Sequence, residues 1–203
     1  VPNGFEPSDG VGRDLDRDQG RLGMIGDFTF LPNYDGLRWF MREVWQKVRE
    51  KVPAAELRLV GKGSVEIAAE YGGMGVAGLG FVPDVAEEMA AWSCMVVPTR
   101  LGGGTHLKVA EGLARRVPLV TTAHGSRGYQ LVSGEHAYIA DAPDDFARSC
   151  VTLLNESSVR EGLSEAGWQL FDKHFSWDSI QPAVVRTVED CLSRKTREKP
   201  NQR

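Results

Sequence analysis

The chain has 203 residues, of which 24 are Lys or Arg and 28 are Asp or Glu, so its formal charge is -4. This balance excludes a basic nucleic-acid-binding coat and a disordered acidic tail as the main character of the chain. With 41% hydrophobic residues, a chain of this length can bury one core without disulfides, and we expect one domain.

The cysteines and the apolar runs bear on location. Cys94, Cys150 and Cys191 are an odd number without paired spacing, which favours a reducing compartment. No apolar run approaches the ~20 residues of a membrane span, and no signal peptide opens the chain. We expect a cytoplasmic protein, with peripheral contact at the inner membrane through its basic C terminus as a further option. Because the chain begins with Val1 and not Met, we also expect an excised or processed piece.

Residues 1–20 predict an interdomain linker, because charged residues dominate the segment from residue 6 and only Val11 and Leu15 are aliphatic candidates for burial. From residue 21, short apolar runs alternate with helical patterns, as in a parallel sheet covered by helices. The first run, at residues 22–26, precedes the clearest predicted helix. The apolar residues of this helix recur at spacings of three and four. They are Leu37, Phe40, Met41, Val44, Trp45 and Val48.

The remaining elements complete an alternating pattern. Further strands are predicted at residues 57–60, 77–82, 94–97, 118–121 and 137–140, and further helices at 85–91, 107–114, 144–154, 159–171 and after 178. This pattern predicts an α/β fold with a doubly wound, mostly parallel, six-stranded Rossmann-like sheet, helices on both faces and additional C-terminal helices. We assign the domain to residues 21–175, a C-terminal helix to 176–193 and a disordered basic tail to 194–203.

Several familiar catalytic signatures are ruled out. Residues 73–78 match G-x-G-x-x-G, but an apparent strand follows them where the dinucleotide pattern requires a helix, so we interpret them as a turn. The P-loop pattern and the G-x-S-x-G elbow are absent, and no cysteine stands beside a recognisable histidine base. The four histidines lack metal-ligand spacing. We therefore predict no metal and no cofactor.

A glycine-rich turn at residues 99–108 is better placed for chemistry. It follows the buried strand 94–97 and opens a helix, where unpaired N–H groups and the helix dipole attract anions. Arg100 and Lys108 supply positive charge for phosphate, and the glycines let a ligand approach the backbone. Glu111, one helical turn after Lys108, can accept from the vicinal hydroxyls of a ribose. The turn predicts a nucleotide diphosphate site.

The same residues also allow a structural interpretation. The glycines can simply make a tight connection, with Thr105 as the helix N-cap and with Lys108 and Glu111 as a solvated i,i+3 pair. Spacing alone leaves both interpretations open.

The apolar face of the last helix, formed by Ile180, Val184, Val188 and Cys191, also has two interpretations. It can pack on a missing domain, which we favour, or on its own sheet.

A series of short motifs adds a family resemblance. They lie at residues 1–4, 25–27, 32–33, 59–61, 80–84, 97–98, 103–114, 134–136 and 175–177. In this order they resemble the C-terminal half of retaining nucleotide-sugar glycosyltransferases of the two-domain GT-B architecture, group 1, family four. The resemblance extends from residue 1 to about residue 192, and the ordered set is more specific than any single motif.

The resemblance implies roles for individual residues. Glu111 would be the second glutamate of the family's paired-glutamate motif and bind the donor ribose, while Gly104 and Thr105 would offer backbone N–H groups to the diphosphate. The loop containing Phe81 would hold the base through its main chain. We predict Lys108 and Arg100 as catalytic residues, and as donor-binding residues Glu111, Gly103, Gly104, Thr105, His106, Phe81, Val82, Pro83, Lys62 and Gly26.

Two departures from the family pattern stand out. The first glutamate of the pair should lie eight residues before Glu111, where this chain has Gly103, a change shared by a branch of the family with Gly-Gly-Thr and Lys in this helix. The family's basic pair after the first strand is absent between residues 27 and 33. Arg100, Lys108 and Lys62 are the predicted substitutes.

The resemblance finally implies an incomplete enzyme. Such enzymes react between two domains, and only the donor-binding domain is recognised here, so we expect this chain alone to bind a nucleotide-sugar weakly and to be inactive. Its expected partners are the nucleotide-sugar donor and an N-terminal acceptor-binding domain or subunit, with no nucleic acid. The complete enzyme would transfer a sugar to an acceptor hydroxyl with retained configuration. The alternatives are a noncatalytic scaffold module derived from this fold, and half of a sugar-nucleotide epimerase.

Overall fold

The computed structural model describes residues 4–5 and 20–197, with side chains as far as residue 192. One sheet of six parallel strands forms its centre, in the order β3-β2-β1-β4-β5-β6. The strands are β1 (Arg21–Ile25), β2 (Glu56–Val60), β3 (Val76–Gly78), β4 (Cys94–Val97), β5 (Leu119–Thr121) and β6 (Tyr138–Ile139). The predicted Rossmann-like fold is confirmed, and β3 and β6 are shorter than predicted.

Helices cover both faces of this sheet, as predicted. They are α1 (Leu31–Trp39), a π-helical turn (Phe40–Trp45), α2 (Gln46–Lys51), α3 (Ser64–Ala69), α4 (Val85–Ala90), α5 (Leu107–Ala114), α6 (Pro143–Asn155), α7 (Ser157–His174) and α8 (Trp177–Arg197). On one face Phe40 and Phe146 pack in an edge-on ring pair, and on the other Trp92, Leu113 and Phe171 belong to a second buried cluster.

The helix at residues 37–48 was predicted from its apolar stripe, and all six residues of that stripe are buried. In the structure the helix begins earlier, at Leu31, because Pro32 occupies its first turn, where a missing N–H costs nothing. The short helix α3 was not predicted. It spans six residues, and its N-cap is Gly63 in the left-handed conformation at φ +75°. Because glycines around so short a segment predict a loop, the sequence pattern did not indicate a helix.

The C-terminal part of the chain departs from expectation in two ways. Helix α8 runs to Arg197, four residues into the segment predicted as a tail, while residues 198–203 lie outside the described part. Ile180 is only 3% exposed and Val184 is half-buried, but Val188 is 52% exposed and Cys191 is exposed. Packing of the predicted apolar face on its own sheet is therefore wrong for Val188 and Cys191.

The N-terminal segment is described only in part. Residues 1–3 and 6–19 of the predicted linker lie outside the described residues. Phe5 forms an isolated parallel bridge with Ser176, and its ring meets Phe171 edge-on with centroids 6.5 Å apart. Within the described part of the chain, no helix is both long and apolar enough to cross a membrane.

A substitution at Gly23, in the central strand β1, tests how tightly the sheet packs against Trp92. A Cβ atom there would lie 2.0 Å from the ring of Trp92. Because the ring has to move, we expect Gly23→Ala to lower the free energy of unfolding by about 2 kcal/mol in urea titrations. Gly103→Ala is the matched control, since its Cβ meets open space, and it should leave stability unchanged. An unaltered midpoint for Gly23→Ala would contradict the packing.

Candidate functional site

The candidate site lies where the strand order reverses, between β1 and β4. In doubly wound sheets, ligands bind in the crevice beyond the carboxyl ends of the strands at this point. The loop after β1 contains Gly26 and Asp27, and the loop after β4 contains the glycine turn. The fold therefore brings these two predicted segments to the same edge of the sheet.

The glycine turn presents an open surface. Gly102 and Gly104 have φ values of +100° and +83°, which side chains rarely adopt. Gly102 lies against α1, since a Cβ there would be 3.3 Å from Cγ of Pro32. At Gly103 and Gly104, by contrast, a Cβ would meet no heavy atom of the described residues within 4 Å. The space above these two residues is available to a ligand.

Helix α5 begins directly behind this turn. Its N-cap is His106, which makes no side-chain capping bond to the described residues, so the interpretation of Thr105 as the N-cap is wrong. The His106 carbonyl accepts from the Val109 N–H at 2.8 Å and from the Tyr129 hydroxyl at 3.1 Å, which fixes the entry of the helix. An uncapped helix start directs its first N–H groups and the positive end of its dipole at an anion.

Lys108 lies in the first turn of α5 and reaches towards β1. Its Nζ donates to Oδ1 of Asn33 at 2.6 Å, and a Cβ on Gly26 would lie 3.2 Å from the same Nζ. The predicted site residues Gly26 and Lys108 are therefore together. Burial lowers the pKa of Lys108 from 10.5 to about 8. At neutral pH the ammonium form still dominates, so a positive charge stands between the loop after β1 and the start of α5.

Glu111 lies one helical turn beyond Lys108 and is half-buried. Its Oε1 accepts from Nε of Arg115 at 3.2 Å, and the guanidinium of Arg115 lies 5.9 Å from the centroid of the Phe5 ring. Lys108 and Glu111 thus bond to different partners, and the solvated pair between them that the structural interpretation assumed is not formed. The bond with Arg115 restricts the rotamer of the Glu111 carboxylate.

The side chains of the two other predicted cations, Arg100 and Lys62, pair with carboxylates of other elements. Arg100 pairs with Asp35 of α1 at 3.1 Å, and its guanidinium lies 5.4 Å from the centroid of the Trp39 ring. Lys62, in the loop after β2, lies 3.8 Å from Oδ2 of Asp27 and is largely exposed. The pair with Asp35 uses Nη2 of Arg100, so a phosphate role for Arg100 would use its other N–H groups or require the pair to open.

Asp27 is a charged residue of the β1 loop to which the sequence assigned no role. Its carboxylate accepts from the N–H of Thr29 at 2.9 Å and from the Thr29 hydroxyl. These bonds, with a weaker contribution from Lys62, lower the pKa of Asp27 below its usual range. The carboxylate is thus occupied locally and does not pair with Lys108.

The predicted base-binding loop follows β3. Phe81 is 84% exposed, Val82 is half-buried and Pro83 is exposed. The loop is tied to its neighbour after β2, because the Gly61 N–H donates to the Gly80 carbonyl at 2.7 Å. It therefore lies on the same edge of the sheet as the glycine turn, and main-chain contacts to a base remain a prediction.

His106 has an unusual environment. Its Nε2 is buried and finds no hydrogen-bond partner among the described residues, and its ring centroid lies 5.7 Å from that of His124. Burial, followed by the charge of Lys108, lowers the pKa of His106, so it is neutral at physiological pH.

Across the described residues, no group of three or more His, Cys, Asp or Glu side chains is arranged to hold a metal ion.

Solved structures share this fold. A variant of TarM from S. aureus, crystallised with Fondaparinux, alpha-GlcNAc-glycerol and UDP, matches 90% of this chain at 16% identity and a TM-score of 0.75, over 38% of its own length. Anabaena HepE in complex with UDP matches 86% at 14% identity and a TM-score of 0.69, over 49% of its length. This chain thus spans less than half of either protein.

A third match is a single domain. The C-terminal domain of LpcC, a group 1 family glycosyl transferase from Francisella tularensis, matches 85% of this chain at 16% identity with a TM-score of 0.63, and 96% of that domain is covered. Identities this low show the fold. No curated protein sequence matches the chain. The family model described as "Glycosyl transferases group 1" matches residues 19–156, and the chain therefore belongs to the group 1 glycosyl transferases.

Proposed function

We propose that this chain is the donor-binding domain of a retaining glycosyltransferase of the family-four type, and that it binds a nucleotide-diphosphate sugar. One observation carries the proposal: at the switch point of the sheet an open glycine turn leads into α5, whose N-cap His106 makes no side-chain capping bond, and the ammonium of Lys108 lies beside Gly26 and Asn33. Backbone N–H groups, a helix dipole and a half-buried cation together form a site for a diphosphate.

The proposed binding mode uses the residues around the turn. The diphosphate lies over Gly103 and Gly104, accepting from N–H groups of Gly104, Thr105 and the first turn of α5, and from Lys108. Glu111 accepts from the ribose hydroxyls, and its bond to Arg115 orients it for this role. The main chain of residues 81–83 contacts the base, and Lys62 adds charge from the neighbouring loop.

In the proposed reaction, the bond between the anomeric carbon and the diphosphate oxygen breaks, and negative charge develops on the departing oxygen. The N–H groups of the turn and the ammonium of Lys108 are already in place, so they stabilise this charge without reorganising. The departing diphosphate helps to accept the proton of the acceptor hydroxyl, which bonds to the anomeric carbon on the same face, and configuration is retained.

The acceptor would bind to a second domain. TarM and HepE are each more than twice as long as the segment they share with this chain, which supports a partner domain or subunit here. The exposed apolar side chains Val185, Val188 and Leu192 of α8 offer a surface on which it can pack. We accordingly propose that this chain alone binds the donor but transfers nothing, and that the complete protein acts in the cytoplasm.

Calorimetric titration with UDP and GDP tests donor binding. UDP is the first choice because it is present in the HepE complex. We expect a Kd on the order of 10–1000 µM for the preferred nucleotide, which corresponds to about -4 to -7 kcal/mol. Gly103→Leu should abolish binding by filling the open space over the turn, whereas Gly162→Leu on α7, where a Cβ also meets open space, should not affect it.

A noncatalytic module is the second candidate, and Gly103 at the usual first-glutamate position favours it. It predicts that wild-type protein binds neither UDP nor GDP, and that Gly103→Leu has no consequence for any nucleotide. Binding that Gly103→Leu removes and Gly162→Leu retains would instead establish the turn as the donor site.

A further inference from the structure

Asn33 connects three elements at the switch point. It lies in the first turn of α1, where its Oδ1 accepts from Nζ of Lys108 at 2.6 Å and its Nδ2 donates to the Asp27 carbonyl at 2.9 Å. One side-chain amide therefore joins the loop after β1 to the start of α5, across 75 residues of sequence.

The backbone provides the space for this contact. A Cβ atom on Gly26 would lie 2.8 Å from Nδ2 of Asn33 and 3.2 Å from Nζ of Lys108. Any side chain at position 26 would therefore displace the amide, the ammonium or both. The absence of a side chain at Gly26 permits the contact between Asn33 and Lys108.

Among the residues that the structure describes, the carboxylates around Lys108 are engaged by other partners. The Asp27 carboxylate is engaged by Thr29 and Lys62, and Glu111 is engaged by Arg115. In the described part of the chain, no carboxylate lies within 4.0 Å of the Lys108 ammonium. The neutral amide oxygen of Asn33 is its hydrogen-bond acceptor, and the neighbouring imidazole of His106 carries no negative charge.

We propose that Asn33 is a positioning residue of the donor site, which holds the Lys108 ammonium beside Gly26, in the crevice between the loop after β1 and the start of α5, without neutralising its charge. A carboxylate in this position would orient the ammonium equally well, but it would cancel the field that attracts the diphosphate. An apolar residue would leave the ammonium partly buried with no acceptor, which favours its neutral form. This inference depends on the proposed function for its ligand, but the link between Asn33 and Lys108 does not.

The link can be measured without any ligand. The pH dependence of acylation at Lys108, followed by mass spectrometry, reports the pKa of this one amine, which lies at about 8 in the wild type. We expect Asn33→Leu to lower this pKa by removing the acceptor, and Asn33→Asp to raise it by adding a negative charge. Asp35→Asn, which changes a residue on the same helix that contacts Arg100 and not Lys108, should leave it unchanged.

The affinity for UDP then tests whether the position of the Lys108 ammonium matters for donor binding. Asn33→Leu and Asn33→Asp should each weaken binding about tenfold, a loss in line with one charge-assisted hydrogen bond. The loss for Asn33→Leu should grow between about pH 7 and pH 9, whereas that for Asn33→Asp should not. Opposite pKa shifts at Lys108 separate a positioning role from general damage to α1, and the isosteric Asn33→Asp guards against a misfolded Asn33→Leu.

The outcomes are distinct. An unchanged pKa of Lys108 in both variants, with normal UDP binding, would overturn the role of Asn33 and leave the donor site standing. The expected pKa shifts in a protein that binds neither UDP nor GDP would overturn the proposed function, and with it the positioning role, while keeping the bond between the two residues. Tenfold losses together with opposite pKa shifts would support both.

Discussion

Lys108→Met is expected to weaken UDP binding by about 10- to 100-fold without disturbing the fold. A hydrogen bond from a charged donor contributes about 1.5–3 kcal/mol, and each 1.4 kcal/mol is about tenfold in affinity. Met has nearly the same volume and flexibility as Lys, so the apolar packing of α5 is retained. Calorimetric titration of wild-type and variant protein at about pH 7 gives the difference directly.

The pH dependence of binding provides an independent signature of Lys108. Its pKa is about 8 in this structure, so about half of the molecules carry the charge at about pH 8. A bound diphosphate raises this pKa, and wild-type protein should then take up about half a proton per UDP at that pH. Titrations in two buffers of different ionisation enthalpy measure the uptake, which should vanish in Lys108→Met.

Stability separates loss of the charge from loss of the fold. The pKa of Lys108 falls from 10.5 to about 8 on folding, so between these values the unfolded chain binds more protons. Wild-type stability should therefore rise with pH across this window, and a buried charge disfavours the folded state below it. Lys108→Met should be at least as stable as wild type at neutral pH. Wild-type affinity and proton uptake in this variant would exclude Lys108 from the site.

One control variant and one variant of a predicted site residue refine the assignment. Lys47 pairs with Asp144 between α2 and α6, away from the turn, so Lys47→Met removes one positive charge without touching the site. It should change UDP affinity less than about twofold. Arg100→Ala should likewise have a smaller effect than Lys108→Met, because Arg100 is already paired with Asp35. An equal loss would show that this pair opens for the ligand.

Local signals were sufficient to predict the turn and the helix behind it. Strand β4 and the first residue of α5 were both predicted correctly, because Pro98, the glycine run and the apolar spacing all mark boundaries within a few residues of each other. The same reasoning rejected residues 73–78 as a dinucleotide site, and the structure places Gly73 and Gly75 before β3, both with positive φ.

Contacts between distant residues could not be predicted in this way. The sequence pattern predicted the same phosphate role for Arg100 and Lys108. In the structure Arg100 pairs with Asp35, which lies 65 residues earlier in the chain, and Lys108 bonds to Asn33. Such pairs depend on strand order and on the small volume at Gly26, neither of which has a local signature. Asn33 was visible only as part of a short motif, with nothing in its neighbours to indicate that it contacts a lysine.

Glu111→Ala is expected to weaken UDP binding about 30-fold, since it removes the carboxylate proposed to accept from the ribose, and about 2 kcal/mol lies within the roughly 1.5–3 kcal/mol of one hydrogen bond to a charged group. Glu111→Ala should also lower the free energy of unfolding by about 1–3 kcal/mol, because it breaks a half-buried i,i+4 pair with Arg115, but the protein should still fold. Glu161→Ala on the exposed face of α7 is the matched control and should bind UDP like wild type.

The assignment to ribose can be tested by changing both partners. We expect wild-type protein to bind UDP more tightly than its 2′,3′-dideoxy analogue, and Glu111→Ala to bind the two with equal affinity, because the hydroxyls then have lost their acceptor. If Glu111→Ala still prefers UDP by the wild-type factor, the ribose is held elsewhere. If wild-type protein does not distinguish the two nucleotides and binds inorganic pyrophosphate as tightly as UDP, the turn and Lys108 form a phosphate site without nucleoside recognition.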